Sequence, residues 1–151
     1  PDIEVRPVRG NVLTRLNKLD SGEYGALVLA CAGLERLGMS DRISRVFNED
    51  EMLPAAGQGI IGVQGRAGED FSYLDGVDCY ESRLCAIAER AFIRELDGGC
   101  SSPVAAFAKI QNEVLVLKGM NVKNDEPLFG SICGSFEEAE EIGKILAGRL
   151  K

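Results

Sequence analysis

The chain has 151 residues, 45% of them hydrophobic and 27% charged, which is typical of a soluble protein with one medium or two small domains. Its net charge of -7 argues against a nucleic-acid partner, because such binders usually carry a basic surplus. No window approaches the roughly 18 consecutive apolar residues of a membrane helix. Histidine is absent, which excludes Ser-His-Asp and Cys-His catalysis and most zinc sites, and five cysteines without a C-x-x-C pair favour a reduced, cytosolic compartment.

The first third of the chain has the pattern of a β-α-β unit. Residues 3–8 alternate like a strand, and Asn11 is a candidate N-cap for the helix that follows. The continuous apolar run 26–30 indicates a strand buried on both faces, and a short helix is predicted over residues 34–37. This alternation predicts an α/β lobe.

A glycine-rich segment, residues 53–63, comes next and is predicted to be a loop that leads into a strand. The turn Gly57-Gln58-Gly59 within it could bring backbone N–H groups close to a ligand. Because a lone G-x-G is a weak signal, a plain connection between elements is the default interpretation of this turn.

The second half of the chain predicts a separate small α+β unit. An amphipathic helix over residues 81–96 is expected to end at Gly98 or Gly99. Ser135 and Glu138 form a capping-box pattern before a closing helix that runs to about residue 150. Three strands separated by turn sequences are predicted between the two helices, at residues 104–108, 113–119 and 128–133.

Two arginines flank the start of the first predicted helix. Arg9 lies just before it and Arg15 one turn inside it. A helix N-terminus offers unpaired N–H groups and a partial positive charge, so both guanidinium groups could face the same anion there. Surface ion pairs explain the two arginines equally well from the sequence alone.

Cys100 lies in a corner of sequence LDGGCSSPV, residues 96–104. It follows the predicted C-terminus of a helix, where the dipole disfavours a thiolate, and no histidine is available to activate it. We therefore interpret it as an exposed thiol suited to holding a group covalently, since the preceding glycines admit a large group. The alternative is an inert cysteine in a tight turn.

Three stretches, taken in order, resemble the porphobilinogen deaminase family, also called the hydroxymethylbilane synthases: RGNVLTRLNKLDSGEYGALVLACAGLERLG, LPAAGQGIIGV and ERAFIRELDGGCSSPVAAFA. The resemblance covers almost the whole chain. It implies a transferase of tetrapyrrole (haem) biosynthesis that joins four porphobilinogen units into hydroxymethylbilane and releases ammonia. The primer would be a dipyrromethane cofactor held by a thioether to Cys100.

The resemblance also implies binding residues, but no metal. Two arginines would bind the acetate and propionate groups of the polypyrrole chain, and four further residues would line the cofactor pocket: Arg9 and Arg15, then Leu29, Ala30, Gln58 and Gly59. No Asp or Glu here matches the family's catalytic aspartate, so we expect the chain alone to be inactive. The alternative function is a non-catalytic α/β module that binds a small dicarboxylate and has no need for a thiol at Cys100.

The family has three domains, and the resemblance assigns a part of this chain to each of them. Residues 1–55 would be the second half of domain 2, residues 56–76 a return strand and linker of domain 1, and residues 77–151 the complete, cofactor-anchoring domain 3. The expected fold is thus a partial periplasmic-binding-protein-like α/β lobe followed by a small α+β domain with a three-stranded antiparallel sheet and helices. Without sheet partners, strands 4–8 and 26–30 should expose apolar edges.

The expected partners also follow from the resemblance. They are porphobilinogen, the growing polypyrrole chain and the N-terminal portion of the same enzyme, with no nucleic acid and no membrane. A full-length member is expected to be monomeric and cytoplasmic, or plastid-located in a plant or alga. Because the sequence lacks an initiator Met and begins partway through the family pattern, we expect a piece of a longer protein.

Overall fold

The computed structural model describes residues 2–97 and 102–151, and the chain divides into two compact units, Pro1–Val46 and Phe47–Lys151. The first unit contains helices α1 (Val12–Asp20) and α2 (Cys31–Glu35). The second contains helices α3 and α4 and a three-stranded sheet: α3 (Tyr80–Glu95), β1 (Ala105–Gln111), β2 (Val114–Lys123), β3 (Glu126–Ser135) and α4 (Ala139–Leu150). None of the helices in the described ranges is long and apolar enough to cross a membrane.

The sheet of the second unit is antiparallel, in the order β1-β2-β3. Its two connections are two-residue turns, Asn112-Glu113 and Asn124-Asp125, in which all four residues have φ between 50° and 64°. Such left-handed pairs form the tight turns whose twist matches that of the flanking strands. The predicted three-stranded antiparallel sheet is therefore confirmed, with strands somewhat longer than the sequence pattern indicated.

The core of the second unit lies between this sheet and helices α3 and α4. Its largest fully buried side chains are Phe92, Leu115, Leu117 and Leu146. The two helices approach closely at Gly143, where an added Cβ would lie 2.4 Å from the carbonyl oxygen of Ala88. Apolar side chains at helical spacing on α3 and α4 thus cover the alternating apolar face of the strands.

The helix ends of this unit differ in detail from the sequence-based expectation. Helix α3 ends at Glu95, and the left-handed residue after it is Asp97, with φ 52°. Gly98 and Gly99, which were expected to stop the helix, lie outside the described residues. Ser135 does cap, but its Oγ accepts from the backbone N of Glu137 at 3.3 Å, so it begins a 3-10 turn (Phe136–Glu138) rather than the predicted box with Glu138.

The strands predicted in the first unit and in the glycine-rich segment are not formed. Residues 3–8, 26–30 and 60–63 are not in strands, and the periplasmic-binding-protein-like lobe is not confirmed. A strand is completed by backbone hydrogen bonds to a neighbouring strand, and these segments form no such pairing in the described chain. Several of their apolar side chains stay in solvent, with Val5 91% and Val28 64% exposed, whereas Val8, Leu27 and Leu29 are half-buried.

The helices of the first unit are formed. Asn11 caps α1 as predicted, whereas the second helix begins earlier than expected, at Cys31. The two helices touch near their first turns, since a Cβ added at Gly33 of α2 would be 3.5 Å from Val12 Cγ2 of α1. Leu16 and Leu34 are the buried hydrophobic residues of this unit among those described.

Candidate functional site

The start of α1 is built by the sequence Gly10-Asn11. Asn11 Oδ1 accepts from the backbone N of Thr14 at 2.8 Å and from Thr14 Oγ1 at 2.9 Å, which fixes the first turn. Gly10 has φ 118°, and a Cβ there would lie 2.8 Å from Thr14 Cγ2. Glycine is thus required before the cap by both backbone conformation and space.

Both predicted anion-binding arginines lie at this end of α1. Arg15 Nε donates to the carbonyl oxygen of Gly10 at 2.8 Å, so its guanidinium is turned back toward the helix start, which Arg9 directly precedes. The first turn of α1 contains no acidic residue. Within the described ranges, neither Arg9 nor Arg15 forms an ion pair, and their anion-binding role stays a prediction.

A third arginine, which sequence reasoning missed, belongs to the same part of the first unit. Arg36 and Gly33 from the α2 segment line a cavity of about 380 Å³ together with Asn11, Val12 and Leu13 from α1. The sequence carries no signal for this neighbourhood, because it depends on the packing of α2 beside α1. Arg36 thus lies beside the first residues of α1, although neither Arg9 nor Arg15 lines this cavity.

Leu29 and Ala30, predicted to line the cofactor pocket, directly precede α2. Ala30 is the N-cap residue of that helix, with extended backbone (φ -71°, ψ 126°), and Leu29 is half-buried. The apolar run 26–30 therefore ends at a helix N-terminus, as in a β-to-α connection, although the run itself is not paired as a strand.

The predicted turn at Gln58 and Gly59 belongs to the second unit. Gly57 and Gly59 have φ of 77° and 87°, and Ile60 N donates to the carbonyl oxygen of Gly57 at 3.0 Å. A Cβ added at either glycine would meet nothing within 4 Å, so the backbone conformation and not lack of space requires glycine. Gln58 is exposed and lines a cavity of about 240 Å³.

The same cavity is lined by Glu89, a buried carboxylate that sequence reasoning did not select. Its Oε1 accepts from Ala108 N at 2.7 Å and its Oε2 from Gly57 N at 2.6 Å. Burial raises the pKa of Glu89, while the two backbone hydrogen bonds act in the opposite direction. One signal was available, since Glu89 lies on the apolar stripe of α3 beside Cys85 and Phe92.

The cysteines in the described ranges are free thiols with different environments. Burial raises the pKa of Cys85, whereas Cys79 is exposed and its pKa is lowered by a hydrogen bond from Ser82 Oγ at 3.2 Å. Cys100 lies outside the described residues, between the end of α3 and the start of β1, so its anchoring role stays a prediction. No cluster that could hold a metal ion occurs in the described part of the chain.

The predicted site residues are thus distributed over the two units. The first unit holds two of the arginines and the two residues before α2, and the second holds the glycine turn: Arg9, Arg15, Leu29 and Ala30, then Gln58 and Gly59.

Both units of the chain match models of one protein family. Residues 1–73 match the family model described as porphobilinogen deaminase, dipyromethane cofactor binding domain, and residues 83–151 match that of the porphobilinogen deaminase C-terminal domain. Similar relatives are the porphobilinogen deaminases of Ruminiclostridium josui (48% identity over all of this chain and 53% of the relative), Acetivibrio thermocellus (51%, over 97% and 51%) and Prochlorococcus marinus (40%, over 100% and 49%). The chain spans about half the length of these relatives. Two adjoining family domains in the same order, with these identities along the whole chain, show that it belongs to the porphobilinogen deaminase family.

Proposed function

We propose that this chain is part of an active porphobilinogen deaminase, a transferase that joins four porphobilinogen units into hydroxymethylbilane with release of ammonia. The observation that carries the proposal is the match of residues 1–73 to the family's cofactor-binding domain, which includes the arginine-rich start of α1. The proposed primer is a dipyrromethane, attached through a thioether to Cys100.

The residues at the start of α1 fit such a cofactor. A dipyrromethane made from porphobilinogen carries acetate and propionate groups, so its binding site must accept several carboxylates. Arg9, Arg15 and Arg36 supply guanidinium groups, which bind carboxylates through two parallel hydrogen bonds. The N-terminus of α1 adds unpaired N–H groups without an acidic residue in its first turn. Guanidinium groups beside N–H donors, in a first turn of α1 without a carboxylate, are a donor set that suits a polyanionic pyrrole chain.

Each residue then has a defined task. When bound, the dipyrromethane supplies the pyrrole end to which the substrate units are joined. Cys100 holds it, and the arginines bind its carboxylates. In the full-length protein, four further residues are proposed to line the cofactor pocket: Leu29, Ala30, Gln58 and Gly59.

The finer fold belongs to the same proposal. In the full-length protein, residues 3–8 and 26–30 would become strands of a periplasmic-binding-protein-like lobe, with residues 1–55 in domain 2, 56–76 in domain 1 and 77–151 in domain 3. The exposure of Val5 and Val28 supports this, because apolar strand sequences are rarely left in solvent without a partner. Their partners would come from the N-terminal portion of the enzyme.

The 151 residues alone are proposed to bind but not to catalyse. No Asp or Glu of this sequence corresponds to the family's catalytic aspartate, so turnover would require the N-terminal portion. The full-length protein is proposed to be a cytoplasmic monomer (plastid-located in a plant or alga).

The proposal is tested with the full-length protein and its Cys100→Ser variant. We expect the variant to lose cofactor attachment and hydroxymethylbilane formation while it stays folded. Cys133→Ser is the matched control, because Cys133 is an exposed thiol of β3 and should be dispensable. Full turnover by Cys100→Ser would overturn the assignment. Tight dicarboxylate binding without turnover by the unaltered protein would favour the alternative, a binding module.

A further inference from the structure

The edge of β1 that faces away from β2 is completed by groups from outside the sheet. Ala106 N donates to the carbonyl oxygen of Pro54 at 3.2 Å, and Ala108 N donates to Glu89 Oε1 at 2.7 Å. These N–H groups are two residues apart and therefore point to the same side of the strand. An open strand edge of this kind has to be paired or covered, because buried N–H groups without acceptors are costly.

The segment 54–57 lies along this edge and is joined to it in two ways. Pro54 accepts directly from the strand, as a neighbouring strand would. At Gly57 the chain has turned, and the carboxylate of Glu89 bridges the gap: one oxygen accepts from β1 and the other from Gly57 N at 2.6 Å. A side chain of α3 therefore takes the place of a missing backbone pairing between the glycine turn and the sheet.

The carboxylate of Glu89 is suited to this bridge, because each of its two oxygens accepts one of the hydrogen bonds. Glu89 is 3% exposed, and the other titratable groups around the same cavity are Glu81, Cys85 and Lys109, of which Lys109 donates to Glu49 at 2.7 Å. Both carboxylate oxygens are acceptors, so two donors that face each other across the gap can be satisfied at once. An apolar residue would fit the buried stripe of α3, but it would leave both N–H groups unpaired.

We propose that Glu89 is a positioning residue that fixes the glycine turn 57–59 to strand β1. In this arrangement α3 and β1 determine where the side chain of Gln58 and the backbone of Gly59 are placed. The assignment of the turn to a cofactor pocket depends on the proposed function, whereas the bridge itself does not.

Backbone amide hydrogen exchange in the full-length protein tests the bridge directly. In Glu89→Ala, the amides of Gly57 and Ala108 should both exchange on the order of tenfold faster or more, because each loses a charge-assisted hydrogen bond. In Glu89→Gln, which keeps the volume, the side-chain NH₂ cannot accept, so one of the two amides should lose protection and the other keep it. The amide of Leu117, in the central strand, reports whether the fold is intact.

Glu81→Gln is the control, since it makes the same substitution at an exposed position of α3 and should leave both amides unchanged. Unchanged protection of Gly57 and Ala108 in both Glu89 variants would overturn the proposal. So would a loss that is equal at Leu117, because that pattern indicates general destabilisation only. Cofactor attachment is measured separately, from the intact mass of the unaltered full-length protein. If that protein carries no adduct while the Glu89 variants lose protection selectively, the proposed function is contradicted and the bridge is not.

Discussion

The two units place similar apolar sequences in opposite environments. In the second unit, Leu115 and Leu117 of β2 are completely buried, since β2 has a strand on each side and two helices over one face. In the first unit, Val5 and Val28 lie in strand-like sequences of the same kind and remain mostly in solvent. The difference shows that an apolar pattern favours the strand conformation, but that a strand forms only where a neighbouring strand pairs with its backbone.

The largest effect is expected from truncating the core of the second unit. Phe92→Ala should lower the free energy of unfolding by about 3–5 kcal/mol, because the ring is fully buried and its removal leaves a cavity. Phe129→Ala is the matched control, as Phe129 is 69% exposed on β3 and should cost far less. Urea unfolding of the chain measures both, and equal losses would mean that the second unit has no specific core.

A smaller effect is expected where α3 and α4 meet. Gly143→Ala should destabilise by about 1–3 kcal/mol, because the new methyl group would overlap the Ala88 carbonyl and force the helices apart. Gly148→Ala lies on the same helix with nothing within 4 Å of the added Cβ, and it should stabilise by up to about 1 kcal/mol. Thermal unfolding distinguishes the two, and the same sign for both would contradict the packing described.

In the first unit the expected effect is local. Asn11→Ala should cost about 1 kcal/mol of helix stability, because Thr14 N loses the acceptor that caps α1. Asn17→Ala, in the body of the same helix, should be neutral or slightly stabilising, since Ala has the higher helix propensity. Exchange of the Thr14 amide measures the change, and an effect of the same size from Asn17→Ala would argue against a specific cap.

The smallest effect is electrostatic and belongs to the surface of the second unit. The hydrogen bond from Lys109, with further help from Lys118, lowers the pKa of Glu49 from 4.5 to about 2. The carboxylate is thus favoured in the folded state, so its contribution is present above pH 4.5 and is lost as the pH falls from about 4.5 to about 2.

The measurement for Glu49 is the pH dependence of unfolding. Glu49→Gln should be less stable than the unaltered chain at pH 6, and the difference should vanish by about pH 2. Glu69→Gln is the control, because Glu69 pairs with an exposed arginine at 3.5 Å and its substitution should change stability little at pH 6. A difference that stays constant across this range would contradict the ion pairs of Glu49.

Features that depend on neighbours in sequence could be predicted, and those that depend on distant packing could not. The Asn11 cap and the Asn124-Asp125 turn follow from local backbone and side-chain chemistry. The strands at 3–8 and 26–30 were expected from their composition, but pairing partners decide whether they form. Arg36 could not be foreseen, because only the packing of α2 beside α1 places it near Asn11.

Glu89 is the instructive case within the candidate site. A charged residue on the buried face of an amphipathic helix is rare and indicates a specific partner, so the sequence did contain a signal. What it could not contain was the identity of the partners, since Gly57 and Ala108 lie 32 and 19 residues away along the chain.

The measurement that most directly tests the central claim is the intact mass of the full-length protein, followed by peptide mapping of its cysteines. We expect an adduct with the mass of a dipyrromethane on the peptide that contains Cys100, and unmodified peptides for Cys31, Cys79, Cys85 and Cys133. An unmodified Cys100 in protein that converts porphobilinogen, or an adduct on another cysteine, would contradict the account.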